Sequence, residues 1–178
     1  MQSPYDPAKL SAQNLWRAVK IAVADMSEPR GAIHSLAAST DASHRLRAIE
    51  AIREQIAEGQ APEEYAQLCR KLIADADNNC RWQALILAGE WIQLAPELVW
   101  SLVLEFGASG DEDMRTGVAT VLLEHLLDYD FDTFFPRLRS LIEAGHPMLA
   151  DTLRRCWAFG KAEPRWDEVS NLLRQHGS

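Results

Sequence analysis

The chain has 178 residues, 47% of them hydrophobic, and this length and composition fit one folded domain or one short repeat array and exclude a disordered chain. The formal net charge of −8 is carried by the window from residue 75 to residue 130, where Arg81 and Arg115 stand against eleven acidic residues. A negative field repels phosphate backbones and attracts cationic partners, so we expect a cationic protein partner rather than a nucleic acid. The alternative is that the acids only keep the protein soluble.

Three features of the chain favour a cytoplasmic protein. Cys69, Cys80 and Cys156 are odd in number and form no C-x-x-C pair, which argues against a disulfide framework and for a reducing compartment. The opening MQSPYDPAKL lacks the basic and apolar regions of a signal peptide. The most apolar run, ALILAGEWIQLA, is interrupted by Glu90 and is too short to span a bilayer, so we expect no membrane association.

One motif recurs along the chain. The segments DASHRLRAIEAIREQI, DNNCRWQALILAGEWI and DEDMRTGVATVLLEHL begin at residues 41, 77 and 111, at spacings of 36 and 34 residues. Each opens on an aspartate, with an arginine four residues later and an alanine or valine seven residues later. A weaker copy begins near His146, with Ala150 at the arginine position. Repetition at this period indicates stacked helical hairpins. The repeated polar positions are Asp41, Arg45, Asp77, Arg81, Asp111 and Arg115.

A second helical segment accompanies each copy of the motif. Three of these segments begin at a proline, namely PEEYAQLCRKLIA, PELVWSLVLEFG and PRWDEVSNLLRQH, and the fourth is FDTFFPRLRSLIEAG. Proline suits the first turn of a helix, and no window alternates as a strand does. The sequence therefore predicts an all-α protein of about ten short helices in pairs. We expect a single domain over residues 1–178, with an N-terminal capping helix over 1–26 and repeats over 27–178.

The aspartate, the arginine and the small residue each have a physical reason. An aspartate before a helix caps its first amides, the arginine four residues later can pair with that aspartate, and the small residue lets the partner helix approach. This combination resembles the HEAT repeat, over roughly residues 27–178. The resemblance implies a right-handed α-solenoid of about four to five hairpins, an Asp–Arg ladder that joins successive repeats, and a non-enzymatic scaffolding or adaptor role.

The helical period separates two faces of the repeated helices. One face is apolar and is expected in the core, with Leu85, Ile92, Leu122 and Leu126 almost completely buried. The other face carries a glutamate thirteen residues after each aspartate and is the expected concave, partner-binding surface. The alternative is an ordinary solvated face, with the tryptophan of the second copy covered by a neighbouring helix. The expected partner-binding residues are Glu54, Glu90, Glu124, Trp82, Ile86 and His125.

The remaining tryptophans are expected to pack in the core, because they lie at helical spacing from other apolar residues. They are Trp16, Trp91, Trp100, Trp157 and Trp166.

No catalytic, metal or cofactor motif emerges from the residues. The run DYDFDT from Asp128 begins like a calcium loop, but Thr133 and Arg139 stand where that loop needs glycine and glutamate, so we expect a loop that caps the next helix. Glu124 and His125 lack the further ligands of a metal site.

A second functional hypothesis belongs to a different class. Some small bacterial HEAT-like proteins resemble DNA-alkylation-repair glycosylases, and Trp82, Trp91 and Glu90 would then supply the aromatic side chains and the acid of the groove. The acidic middle of the chain argues against this hypothesis, since phosphate binding needs basic residues. The only basic concentration is C-terminal, at Arg137, Arg139, Arg154, Arg155, Lys161 and Arg165.

Overall fold

A computed structural model describes residues 29–176, and within that range every regular element is helical. The prediction of an all-α protein is confirmed for this part of the chain, which contains no β-strand. The predicted capping helix over 1–26 and Trp16 lie outside the described residues. Between residues 29 and 176, no helix has the length and apolar character that a membrane crossing requires.

The helices follow one another through short connections. The first four are α1 (Pro29–Ala37), α2 (Ala42–Ala57), α3 (Ala66–Ile73, after a 3-10 turn at Pro62–Tyr65) and α4 (Asn78–Glu90). Next come α5 (Pro96–Gly107) and one long helix made of α6 (Glu112–Gly117), a π segment (Val118–Leu123) and α7 (Glu124–Tyr129). The last are α8 (Phe131–Glu143), α9 (Pro147–Arg154), a 3-10 turn (Gly160–Arg165) and α10 (Trp166–His176).

Aspartates begin the repeated helices, as the sequence predicts. The side chain of Asp41 accepts the Ser43 N–H at 2.8 Å, and that of Asp77 accepts the Cys80 N–H at 2.9 Å. Asp111 accepts the N–H of Asp113 at 2.9 Å. Asp111 also accepts the N–H of Met114 at 3.4 Å. Backbone donors, namely those of Ser43, Cys80 and Met114, are the main reason that the pKa of each of the three aspartates is lowered. The stabilisation by the caps is therefore present at neutral pH and is lost as pH falls through the lowered pKa values.

The helices pack as successive pairs around one core. Helix α1 packs on α2, α3 on α4, and α5 on the long helix α6–α7. The second member of each pair also packs on the next one, α2 on α4, α4 on the π segment, and the π segment on α9. We call α2, α4 and the long helix α6–α7 the second helices. The core prediction is confirmed, because Leu85, Ile92, Leu122 and Leu126 are all buried.

Two glycines allow α4 to approach the long helix closely. A Cβ atom at Gly89 would lie 3.0 Å from the carbonyl oxygen of Val121. A Cβ atom at Gly117 would lie 2.6 Å from a methyl group of Leu85 and 3.7 Å from the Trp82 ring. Glycine at these two positions therefore lets the helices pack with their backbones unusually near one another.

The π segment changes the rotation of everything that follows it in the long helix. The Glu124 N–H donates to the carbonyl of Ala119, five residues back, where an α-helix would use the residue four back. One extra residue is thus accommodated, and the residues after the segment are rotated by about 100° relative to an uninterrupted α-helix. As a result, the outward position predicted for Glu124 does not hold, although Leu126 remains in the core.

We expect the replacement of Leu122 by alanine to lower the free energy of unfolding by about 2–5 kcal/mol, through lost burial and a residual cavity. Leu94 is 62% exposed, and its replacement by alanine is the matched control, with an expected change within about 0.5 kcal/mol. Urea denaturation followed by circular dichroism measures both. Equal effects of the two substitutions would contradict the assignment of the core face.

The cap at Asp77 gives a second prediction. Asp77→Ala removes the acceptor for the Cys80 N–H and should lower the free energy of unfolding by about 1 kcal/mol. Asp77→Asn keeps a side-chain oxygen at the same place and should lose much less. Urea denaturation of both variants at pH 7 separates the cap from the charge, and equal losses for alanine and asparagine would exclude the cap as the cause.

Candidate functional site

The solvent-facing surface of the second helices is the candidate site, and α2 and α4 present it as predicted. Glu54 on α2 and Glu90 on α4 are exposed. Ile86, one turn before Glu90, is 39% exposed, which leaves an aliphatic side chain in contact with solvent. Arg53 of α2 donates its Nε to both carboxylate oxygens of Glu90, at 2.9 and 3.0 Å. The face therefore has an apolar centre with a paired charge beside it.

The expectation that Glu124 faces outward with Glu54 and Glu90 is wrong. Glu124 is only 9% exposed, and its Oε1 accepts the backbone N–H of Trp157 at 2.7 Å. The π segment is the physical reason, since its additional residue turns Glu124 towards Trp157, beyond the end of α9, and turns His125 outward in its place. Of the three predicted glutamates, Glu54 and Glu90 are exposed, and on the long helix His125 is exposed instead of Glu124.

Trp82 is half-buried between α4 and the long helix. Its indole N–H donates to Asp113 Oδ2 at 3.2 Å, and its ring lies against Gly117. The side chain is partly covered by the neighbouring helix, so it joins two successive units in addition to bordering the outer face.

The tryptophan predictions hold for Trp91 and Trp100, which are buried, and Trp166 is half-buried. The prediction for Trp157 is wrong, because its side chain is 76% exposed. Trp157 belongs to the loop over residues 155–159, which follows the end of α9 and precedes the 3-10 turn; we call it the Trp157 loop. Helical spacing suggested burial, but the helix ends at Arg154 and the periodicity no longer applies.

Two carboxylates of α7 hold the Trp157 loop and the start of the 3-10 turn that follows it. Glu124 accepts the N–H of Trp157, and Asp128 Oδ1 accepts the N–H of Lys161 at 2.8 Å. Gly160 has a positive φ of 56°, and a Cβ atom there would collide with the Asp128 carboxylate. Phe159 meets the His125 ring edge to face, with centroids 5.3 Å apart. The loop is consequently fixed against α7 while its tryptophan stays in solvent.

The run DYDFDT serves helix capping, as the sequence analysis expected. Asp130 precedes α8 and accepts the Thr133 N–H at 3.1 Å, while Asp128 is used by the Trp157 loop. Over residues 29–176, no group of three or more histidine, cysteine or acidic side chains is arranged to hold a metal ion.

Arginines of the motif pair with acids of the next unit. Arg45 Nη2 lies 3.0 Å from Asp75 Oδ1, and Arg81 Nη1 lies 2.9 Å from Asp111 Oδ2. Arg115, itself buried, donates its Nε to Asp151 Oδ2 at 2.8 Å. Each pair joins segments about thirty or more residues apart in the chain, so the arginine links units rather than closing on the aspartate of its own motif.

A residue two positions before each capping aspartate also supports the helix start, and the motif alone did not predict it. The side chains of Ser39 and Ser109 accept the N–H of Asp41 and of Asp111, both at 3.1 Å. Asp75 accepts the N–H of Asp77 at 2.8 Å and is also the residue that Arg45 reaches. The signal was present in the alignment of the three motifs, as a short acceptor residue that recurs at the same offset.

The acidic window 75–130 is largely neutralised within the fold. Seven of its acids form ion pairs with arginines, five of which come from outside the window. The other four, Asp77, Glu124, Asp128 and Asp130, accept backbone N–H groups. The charge excess therefore serves contacts inside the fold and does not form one strongly negative surface.

The C-terminal basic residues are engaged in the same way. Arg137 pairs with Glu97 at 2.7 Å, Arg139 with Glu168 at 3.3 Å, and Arg155 with Asp151 at 3.0 Å. Arg154 and Arg165 also lie beside carboxylates, and Lys161 Nζ donates to the Tyr129 carbonyl at 3.2 Å. Each of the six predicted patch residues thus has a partner within the described part of the fold.

The three cysteines are buried and inert. Cys69, Cys80 and Cys156 are free thiols whose sulfur atoms lie 3.6–3.7 Å from backbone carbonyls of the second helices. Burial raises the pKa of Cys69 to about 12 and also raises the pKa of Cys80 and of Cys156. Because the thiolate is the reactive form, these residues pack as small apolar side chains.

Comparisons of the chain with models of known protein families, with curated proteins and with solved structures give no match.

The buried carboxylate of Glu124 predicts a pH-dependent stability difference. Burial raises its pKa, against the opposing effect of the Trp157 N–H, so ionisation of Glu124 costs stability as pH rises through the raised value. Glu124→Gln keeps an oxygen acceptor but cannot ionise. The stability of this variant relative to the wild type should therefore increase between about pH 4 and about pH 7.

Urea denaturation over that pH range measures the difference. Glu124→Ala, which also removes the acceptor for the Trp157 N–H, should be less stable than Glu124→Gln at every pH. A stability difference between Glu124→Gln and the wild type that does not change with pH would contradict the assignment.

Proposed function

We propose that the chain is a HEAT-like right-handed α-solenoid of about four to five helical hairpins, which acts as a non-enzymatic protein-binding scaffold or adaptor. The order of packing supports this proposal, since each second helix lies on the next one along the chain. Ion pairs between the motif arginines and acids of the following unit support it as well, because such contacts recur at the repeat period.

A single observation carries the functional part of the proposal. Ile86 is 39% exposed in the middle of the outer face of α4, on a helix whose opposite face is completely buried. Around it lie half-buried Trp82 and the ion pair between Arg53 and Glu90. An apolar centre with a polar rim is the usual arrangement of a protein–protein interface.

The charges of this face favour burial over electrostatics as the main source of affinity. Glu90 already has an arginine partner, and Glu124 is turned inward. A partner that relied on these two acids would have to compete with contacts made inside the protein. Glu54 is exposed and remains available to a cationic partner at the rim of the face, where charge increases the rate of association more than the affinity.

A nucleic-acid enzyme has less support. Trp91, one of the aromatic residues that such a groove would use, is buried. The basic residues near the C-terminus are paired with carboxylates or a carbonyl, so they offer little free charge for phosphates.

The test is a pull-down with the full chain from native lysate, washed across a salt series. Ile86→Asp places a charge in the apolar centre and should reduce the amount of retained partner about tenfold or more. Leu94→Asp is the matched control, because Leu94 is an exposed leucine in the connection that follows α4. We expect the control to retain the partner and the retention to persist at high salt.

Equal retention by Ile86→Asp and by the control would reject this face as the binding surface. Loss of the partner from Leu94→Asp but not from Ile86→Asp, with unchanged circular dichroism spectra, would assign binding to a different part of the protein.

A further inference from the structure

We propose that the Trp157 loop, together with the carboxylates of Glu124 and Asp128, is a docking site for an arginine side chain of a protein partner. This inference rests on the proposed function and names a second contact surface and the chemistry that it recognises.

The first observation is an exposed tryptophan on a fixed loop. Trp157 is 76% exposed, more than any other large apolar side chain between residues 30 and 176. The loop is hydrogen-bonded to α7 at its centre, through the N–H of Trp157, and the 3-10 turn that follows it is hydrogen-bonded to α7 through the N–H of Lys161. Cys156, beside Trp157, is buried. A tryptophan that is held in place before binding loses little conformational entropy when a partner covers it.

The second observation is a repeated arrangement inside the same protein, in which an arginine lies over an aromatic ring and also contacts a carboxylate. Arg137 lies 4.9 Å from the Trp100 ring and pairs with Glu97. Arg165 lies 4.3 Å from the Phe131 ring and pairs with Glu168. These contacts combine cation–π attraction with a charge-assisted hydrogen bond.

Arg139 repeats the arrangement a third time. It lies 4.8 Å from the Phe135 ring and contacts Glu168 at 3.3 Å. Arginine, aromatic ring and carboxylate thus occur together three times among α5, α8 and the segment from the 3-10 turn to α10, and the rings of Trp100, Phe131 and Phe135 are buried there.

The Trp157 loop has two of these three components. Trp157 supplies the ring, and Glu124 and Asp128 supply carboxylates whose hydrogen bonds come from backbone N–H groups instead of arginines. Among the described residues, no arginine or lysine lies over the Trp157 ring. The partner would supply the missing arginine, with its guanidinium on the ring and its charge near the second oxygen of half-buried Asp128.

His125 and Phe159 border the site and connect it to the outer face of the second helices. His125 is exposed on the long helix, and its ring packs against Phe159. A partner that contacts His125 therefore also lies beside the Trp157 loop.

The experiment uses the full chain labelled with 15N and the probe peptide acetyl-Gly-Arg-Gly-amide. We expect saturable chemical-shift changes at the Trp157 indole N–H and at the amides of Trp157 and Phe159, with a dissociation constant of order millimolar for so small a ligand. The matched probe replaces arginine by citrulline, which has nearly the same shape and no charge, and should produce changes at least about threefold weaker.

Variants separate the site from the rest of the protein. Trp157→Ala should abolish the response, read at the Phe159 amide, and Asp128→Asn should weaken it about threefold or more. Met148→Ala, which removes another exposed apolar side chain of the same unit, should leave it unchanged. Thermal unfolding of each variant checks that the fold is retained, and Glu124→Gln serves as a second carboxylate variant if Asp128→Asn unfolds.

Three results would overturn the inference. They are no response to the arginine probe, an equal response to the citrulline probe, and a stronger response to single-stranded oligothymidine, which would identify a base-stacking surface instead. If the arginine probe binds at Trp157 but the pull-down retains no protein, the proposed function is rejected and the arginine site is supported. An Ile86-dependent partner without arginine binding would remove only this site.

Discussion

The stacking of the units depends on ion pairs that connect each helical pair to the next one. Arg45, Arg81 and Arg115 make these contacts from the second helices, and Arg70 of α3 makes another one with Glu105 of α5. Each exposed pair contributes about 0–1 kcal/mol, so burial of leucine, valine and alanine side chains supplies most of the free energy of folding. The directional contacts instead fix which helices become neighbours and how far they slide along one another. A flat apolar face alone would allow several registers.

The same contacts explain why an acidic protein lacks one dominant acidic surface. The window 75–130 holds most of the carboxylates that arginines of the preceding and following units reach. Its negative charge is therefore neutralised mainly by arginines that lie outside the window. What remains for recognition is a small set of side chains without an internal function. Ile86 and Trp157 expose apolar surface that folding does not use, and both lie where the polar neighbours already have partners. Recognition by burial beside fixed charges follows from that arrangement.

The long helix connects the two candidate surfaces through a local change of helical geometry. Because the π segment turns Glu124 towards the Trp157 loop, one carboxylate leaves the outer face and becomes the acceptor that holds the loop in place. His125 is exposed on the long helix instead of Glu124, and it packs against Phe159. The same insertion therefore removes charge from one surface and positions an aromatic residue on the other.

Local chemistry and periodicity in the sequence by themselves determined the helical class, the capping aspartates and the core positions, Leu126 included, because capping and burial at a period of 3.6 act over a few neighbouring residues. The motif also located the arginines that connect the units. Only the tertiary structure decided which acids these arginines reach, since Asp75 and Asp151 are not the capping residues of their motifs. It also decided the outward position of His125 and the exposure of Trp157. The physical reason differs for the two residues. One added residue in the π segment rotates the side chains that follow it, and the end of α9 at Arg154 frees Trp157 from the helical period. Packing against a distant unit selects both of these geometries.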